Sequence, residues 1–325
     1  MSRWALTMHI GRNGKASKTE AMFFPAAGKN YDDADTTPLS VDDGQVPFTK
    51  KFTYLGSVVA SSLSAEPDVT TRIKKASAVF GALRKCVFGT RDIMIEVKRQ
   101  VYTTLVLSVL LYGSECWPLT AADKRRIEVF HRKCVRTMTG VSRRKQHKSR
   151  VSSAELEEQC ELESMDFYLR ARALRWAGHL VRMPHDRLSR KLFFGWYHGP
   201  RPRGGSMKTY GQRVKKLVKR ALELAEPAVR QEITGAARQR KRRKTASAYR
   251  KEGCGWIAFA QDRNKWRQLV NAGRRFAKKE ATSPGSSSSS SSSSNGTYDD
   301  SEFLSAATIA AVEADIARAR AMRDR

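Results

Sequence analysis

Residues 92–112 constrain this chain's fold more than any other segment, because their last turns are apolar on nearly every side. Ile93, Val97, Val101, Leu105 and Val109 recur at helical spacing behind Asp92, a residue suited to capping a helix N-terminus. A helix that is apolar all round has to be surrounded by protein. The densest run, Val101 to Tyr112, is twelve residues long and includes Thr103, Thr104 and Ser108. Spanning a bilayer takes about 20 apolar residues, so this run is the centre of a helical domain and not a membrane span. Its flanks supply the neighbours. Val69, Ile73, Ala76, Phe80 and Leu83 recur behind Asp68, another candidate N-cap. Ile127, Phe130, Cys134 and Met138 recur behind Thr120-Ala121-Ala122-Asp123, which has the form of a capping box, and Gly140 is suited to end that helix. A three-helix domain over 65–140 is expected.

Around it the chain divides by composition. Residues 1–63 carry strand and turn signals, with a hairpin expected over Phe52 to Val59. A basic break, Arg143 to Lys148, leads to a second helical region. Ser153 precedes one helix there, and Ser164 a longer one reaching about Met183. A further helix is expected at 207–225 and a last core-packing one from Trp256 to Phe276. Nine serines, Ser286–Ser294, read as a disordered linker, and Ser301 to Met322 as an amphipathic tail helix. The expected fold class is mainly α with a small N-terminal β-hairpin region. The expected units are 1–63, 64–142, 143–282, the linker 283–297 and the tail 298–325.

Charge limits the partners. Sixty-one Lys+Arg against 32 Asp+Glu leave +29, and the last forty residues hold six acidic side chains and four basic ones, so the excess lies upstream. Such a field favours polyanions, nucleic acid first among them. The five cysteines are widely spaced and none forms a C-x2-C pair, which argues for reduced thiols in an intracellular protein. His131, Cys134, His147 and Cys160 can be imagined as a metal set. However, Cys134 lies on the apolar side of its helix, as a buried thiol does, and no metal or other cofactor is expected for this chain.

Six separated segments then bear on family. Lys18-Thr19-Glu20-Ala21-Met22 resembles motif D of a reverse-transcriptase palm, and Phe52-Thr53-Tyr54-Leu55-Gly56-Ser57 resembles its motif E, the primer grip. Leu110-Leu111-Tyr112-Gly113-Ser114-Glu115-Cys116-Trp117 is similar to an "LLYGSExW" segment, with Cys in place of the usual Thr. Phe130-His131-Arg132-Lys133-Cys134-Val135-Arg136, Leu174 to Met183, and Asp262-Arg263 with Trp266-Arg267 resemble "FHRRCLR", "LRWxGHVxRM" and "DRxxWR". In this order they resemble the C-terminal part of the reverse transcriptases of non-LTR (LINE-type) retrotransposons. The resemblance implies a palm remnant, then a helical thumb, then a basic helical C-terminal domain. It implies an RNA-directed DNA polymerase that uses Mg2+ when intact, and the upstream part of the polymerase as a partner.

Polymerisation needs carboxylates that clamp two metal ions. The family's "[FY]ADD" turn does not occur in this sequence. Tyr31-Asp32-Asp33 and Tyr298-Asp299-Asp300 each lack its intervening residue and sit in polar surroundings. These residues alone are therefore expected to grip RNA, single-stranded DNA or an RNA–DNA hybrid without extending a primer. The alternatives are a standalone nucleic-acid-binding protein derived from a retroelement and a decayed, non-functional reading frame.

The candidate contacts follow. By resemblance, Lys18 lies near the leaving pyrophosphate, and Tyr54, Leu55 and Gly56 back the primer terminus. On the first thumb helix Arg72, Lys74 and Lys75 are candidates for phosphates, or plain solvated charges. At about 100° per residue, Arg172, Arg175, His179 and Arg182 share one helix face, with Tyr168 beside them and Leu169, Ala173 and Leu180 opposite. A cationic stripe with an aromatic suits a nucleic-acid backbone. Arg201 and Arg203 lie in a Gly-Pro-Arg-Pro-Arg-Gly-Gly loop that is no P-loop. Arg238 to Lys244, with six basic residues in seven, reads equally as a nucleic-acid patch or as a nuclear-import signal.

Overall fold

Two antiparallel hairpins precede the helices in the computed structural model, which describes residues 19–24, 39–41, 44–194, 210–232 and 255–275. In the first, β1 (Leu39–Val41) pairs with β2 (Gly44–Val46) so that Leu39 faces Val46. In the second, β3 (Lys51–Tyr54) pairs with β4 (Ser57–Ala60), and Tyr54 faces Ser57 across a two-residue turn. The turn residues Leu55 and Gly56 have φ of 46° and 83°. Positive φ at both positions is the type I′ turn, whose twist matches that of the strands it joins.

The helices follow in order. α1 (Glu66–Leu83) continues through a π-helical turn, Arg84–Phe88. α2 (Ile95–Val101) passes through a second π-helical stretch, Tyr102–Leu107, into α3 (Ser108–Leu110). Then come α4 (Ala121–Met138), α5 (Arg143–Lys148), α6 (Ser153–Gln159), α7 (Met165–Arg182), α8 (Leu188–Phe194), α9 (Tyr210–Leu224), α10 (Gly255–Gln261) and α11 (Arg263–Asn271). The fold is mainly helical with a small N-terminal hairpin region, as its sequence implies.

Some helix ends obey their capping residues. Thr120 Oγ1 accepts from the Asp123 amide at 3.1 Å while Asp123 Oδ2 accepts from the Thr120 amide at 3.1 Å, a reciprocal capping box. At the other end of α4, Gly140 takes φ of 67°, and the amides of Gly140 and Val141 donate to Thr137 and Arg136. That is the paired closure of a Schellman motif. Ser164 caps α7, and Ser152, one residue before the expected Ser153, caps α6.

Other ends differ from expectation. α1 starts at Glu66 with Pro67 in its first turn, where proline fits, so Asp68 lies inside the helix and caps nothing. Asp92 is exposed ahead of α2, which begins after an extended Met94. The basic break at 143–148 is a short helix capped by Ser142 and buries no residue. The helix expected from Trp256 is broken at Asp262, whose carboxylate caps α11 by accepting from Asn264 and Lys265.

The apolar segment is central, with a shifted face. Tyr102, Val106, Leu107 and Leu110 are buried, whereas Leu105 and Val109 are only half-buried. Bonds spanning five residues put an extra residue into the π turn, so the helical phase slips past it. Thr104 and Ser108 are tolerated there because each hydroxyl donates 2.6 Å to a carbonyl one turn back. Phe80 stacks on Phe88 with ring centroids 4.3 Å apart, and Tyr102 meets both edge-on.

That first core does not stop at residue 142. Leu156, Leu162, Met165 and Leu169 belong to it. A second core gathers Leu174, Ala177 and Val181 of α7 with Val214 and Val218 of α9 and Trp256, Trp266 and Leu269 beyond. α7 thus contributes to both.

Candidate nucleic-acid interface

The turn at Leu55-Gly56 is exposed in front and held from behind. Tyr54 is 63% and Leu55 76% exposed. A leucine at φ of 46° carries a strain of about 1–2 kcal/mol. Both turn carbonyls are captured. Tyr112 Oη donates to Leu55 O at 3.1 Å, and Arg72 Nη2 donates to Gly56 O at 2.8 Å. The Arg72 guanidinium also lies 4.2 Å over the Tyr112 ring, a cation–π contact. One turn earlier on α1, Asp68 accepts from the Val58 amide at 3.0 Å and from the Trp117 indole at 2.7 Å. Gly113, at φ of 72°, admits Ser57: a Cβ there would stand 3.0 Å from Ser57 Oγ. Hairpin, α1 and residues 112–117 therefore form one joint. The two segments that resemble a primer grip and "LLYGSExW" are its two sides.

Arg72 consequently does not serve as a surface cation. It is 5% exposed and committed to the joint, with Asp68 3.7 Å from its Nε. Lys74 and Lys75 do lie on the exposed side of α1. The stripe on α7 is not a free face either. Arg172, His179 and Arg182 are half-buried, and only Arg175 of the four is exposed. Arg172 donates to Leu111 O at 3.1 Å, and Arg182 to Ala260 O at 2.7 Å. Burial, then the nearby Arg182 and Arg263 charges, push the His179 pKa down. Helical spacing finds the stripe, but cannot tell that residues 111–117 and α10 pack on it. Lys18, Arg201, Arg203 and Arg238 to Lys244 lie outside the described residues.

These contacts follow a rule. The last carbonyls of a helix lack partners and carry the negative end of its dipole. Here cations from elsewhere supply the partners. Lys98 donates to Met138 O at the end of α4, Arg190 to Val181 and Met183 at the end of α7, and Arg230 to Leu222 and Glu223 at the end of α9. Arg170 does the same for Ala272 beyond α11, at 2.8 Å. Arg213 donates to Trp117 O and so ties α9 to the joint. Part of the chain's positive charge thus works inside the fold.

Two other motif segments also meet. Trp266 of α11 donates its indole N–H to Leu174 O at 2.8 Å and lies in a notch opened by Gly178, where a Cβ would stand 2.2 Å from Trp266 Nε1. His131 is buried, with Nδ1 2.8 Å from Tyr102 Oη and Nε2 3.8 Å from Glu157. Burial, then Arg132 and Arg275, push its pKa down to about 4. Cys134 is buried beside it, its thiol pushed up to about 12 chiefly by burial. No helix among the described residues is long and apolar enough to cross a membrane.

No family profile matches the chain, and no solved structure matches it. It is similar to an uncharacterized transposon-derived protein of Caenorhabditis elegans, 23% identical over 242 residues that cover 74% of this chain and 76% of the relative. That likeness points to a transposon origin.

Proposed function

We propose that this chain is a nucleic-acid-binding protein of retroelement descent, from the C-terminal part of a non-LTR reverse transcriptase. It takes RNA, single-stranded DNA or an RNA–DNA hybrid by the phosphate backbone. The observation that carries this reading is the joint. Two segments some 55 residues apart, each singled out by resemblance to the family, interlock through Arg72, Tyr112 and Gly113 and hold an aromatic and apolar turn outward. An exposed Tyr54 on a braced turn offers a stacking surface of the kind single strands use. The +29 charge supplies attraction without sequence preference.

These 325 residues hold no "[FY]ADD" turn, so by themselves they bind and do not polymerise. Two-metal Mg2+ chemistry belongs to the intact family enzyme, whose upstream part is a proposed partner. Arg238 to Lys244 is a proposed route to the nucleus. Fluorescence anisotropy with a labelled RNA–DNA hybrid tests the grip over a salt series. Affinity is expected to fall steeply with salt, because bound phosphates release their counterions. Absence of binding at low salt refutes the proposal. Primer extension with Mg2+ and dNTPs is expected to give no product, and a product overturns the second half of it.

A further inference from the structure

We infer that the end of α4 and the start of α5 form a phosphate-docking site, built from Arg132, Arg136, Arg143 and Arg144. The partner is the backbone of a nucleic-acid strand, so the inference rests on the function proposed above and gives it a place.

Arg132 and Arg136 stand one turn apart on α4, and the Gly140 turn leads directly into α5, which opens with Arg143 and Arg144. Several arginines elsewhere in the fold have carboxylates beside them: Arg126 meets Glu66 at 2.9 Å, Arg275 meets Glu157 at 2.9 Å, and Arg99 meets Glu161. At this face, among the described residues, only Arg132 has one, Glu128 at 3.3 Å. Among the described residues, Arg136, Arg143 and Arg144 form no ion pair. Arg136 is half-buried, and burial is joined by Arg143 and Arg132 in disfavouring its charged form. A cation at a helix C-terminus is favoured by the dipole, so one arginine there needs no ligand. Three guanidiniums without compensating acid are more than one helix end accounts for.

α5 adds a second sign. It buries no side chain, and Arg144 and Lys148 face each other as like charges one turn apart. Nothing apolar rewards this helix for forming, yet it displays four cations in six residues, as a surface made for an external anion would.

The chemistry of the face favours nucleic acid over an acidic protein. Protein interfaces depend on buried aromatic or aliphatic anchors. Along α4 and α5 the large apolar side chain that is exposed is Val129, at 56%. Phosphate-backbone binding needs no such anchor, and planar guanidiniums match phosphate oxygens in pairs.

The test uses the full chain carrying Arg132→Gln, Arg136→Gln and Arg143→Gln together. Anisotropy with a labelled 30-nucleotide single strand is read over a salt series, beside a variant losing the same charge on α9, Lys215→Gln/Lys216→Gln/Lys219→Gln. The α4–α5 variant is expected to bind about tenfold more weakly and to lose about two from the log–log salt slope, with a smaller effect on α9. Its thermal midpoint is expected to hold or rise, since mutual repulsion is relieved; a lowered midpoint marks a structural cluster and refutes the site. Equal effects of the two variants refute it too, by showing only a diffuse field. If a poly-glutamate of equal charge binds the intact chain more tightly than the oligonucleotide does, the partner class is wrong. Unchanged binding by the α4–α5 variant overturns this site and leaves the proposed function standing. Failure of the unmodified chain to bind at low salt removes both.

Discussion

Arg72 and Arg136 lie on helices of the same core and read alike in sequence, yet their surroundings are opposite. Arg72 has an aspartate, a backbone carbonyl and an aromatic ring around it. Arg136 has two further guanidiniums. The first belongs to a joint in which a buried charge has an acid and a carbonyl beside it; the second belongs to a face where cations gather around it. Basic composition therefore covers two settings for arginine: bracing carbonyls inside the fold and, in the function proposed above, meeting anions outside it. The presence or absence of a covering element separates them.

The contrast is sharpest for Arg72→Ala. It strands Asp68 in a buried site and frees the Gly56 carbonyl, and denaturant unfolding is expected to show a loss of about 3–5 kcal/mol. Arg136→Gln is expected to stay within about 0.5 kcal/mol, so equal losses at the two positions would erase the distinction. Next in size, Gly178→Ala drives a methyl group into Trp266 and is expected to lose about 2–3 kcal/mol; a neutral result would mean that the notch is not rigid.

Acid comes third. Unfolded histidine takes up a proton near pH 6.5, whereas folded His131 stays neutral down to about 4, so protons favour the unfolded chain within that window. Stability is expected to fall by about 2 kcal/mol from pH 7 to pH 5 on this account. Glu157, whose pKa is raised chiefly by burial, takes up its proton more readily when folded and opposes part of that fall. The pH slope is expected to flatten in His131→Gln, and an unchanged slope assigns the acid sensitivity elsewhere. Smallest is Lys74→Gln with Lys75→Gln. Both side chains are exposed, so stability is expected to hold within about 0.5 kcal/mol while the salt dependence of binding weakens; a lowered stability would place these lysines with Arg72.

Local chemistry was legible in the sequence. The Thr120 and Ser164 caps, the Gly140 stop and the hairpin around Leu55-Gly56 depend on neighbours along the chain, and they formed as expected. Asp68 was misjudged because its partners, Val58 and Trp117, come from other elements. The α7 stripe is legible only as a spacing along one helix. Its use was not visible, since periodicity describes one helix and burial depends on those packed against it. The π turn at Tyr102–Leu107 shifted the inward face because a fixed 3.6-residue period cannot register an added residue. Resemblance pointed to the segments that compose the joints, while the atoms that close them, from Tyr112 Oη to the Trp266 indole, needed three dimensions.

The sharing of α7 between two cores bears on how the molecule can be taken apart. A fragment ending at residue 142 lacks Leu156, Leu162, Met165 and Leu169, which close its own interior. The remainder, cut from its N-terminal side, leaves those same side chains facing water. The two halves are accordingly expected to melt as one unit, and proteolysis between them is expected to release unfolded pieces rather than working modules. Mutational drift is coupled in the same way. A change on α7 has to suit two interiors at once, so neither half of the chain is free to evolve alone.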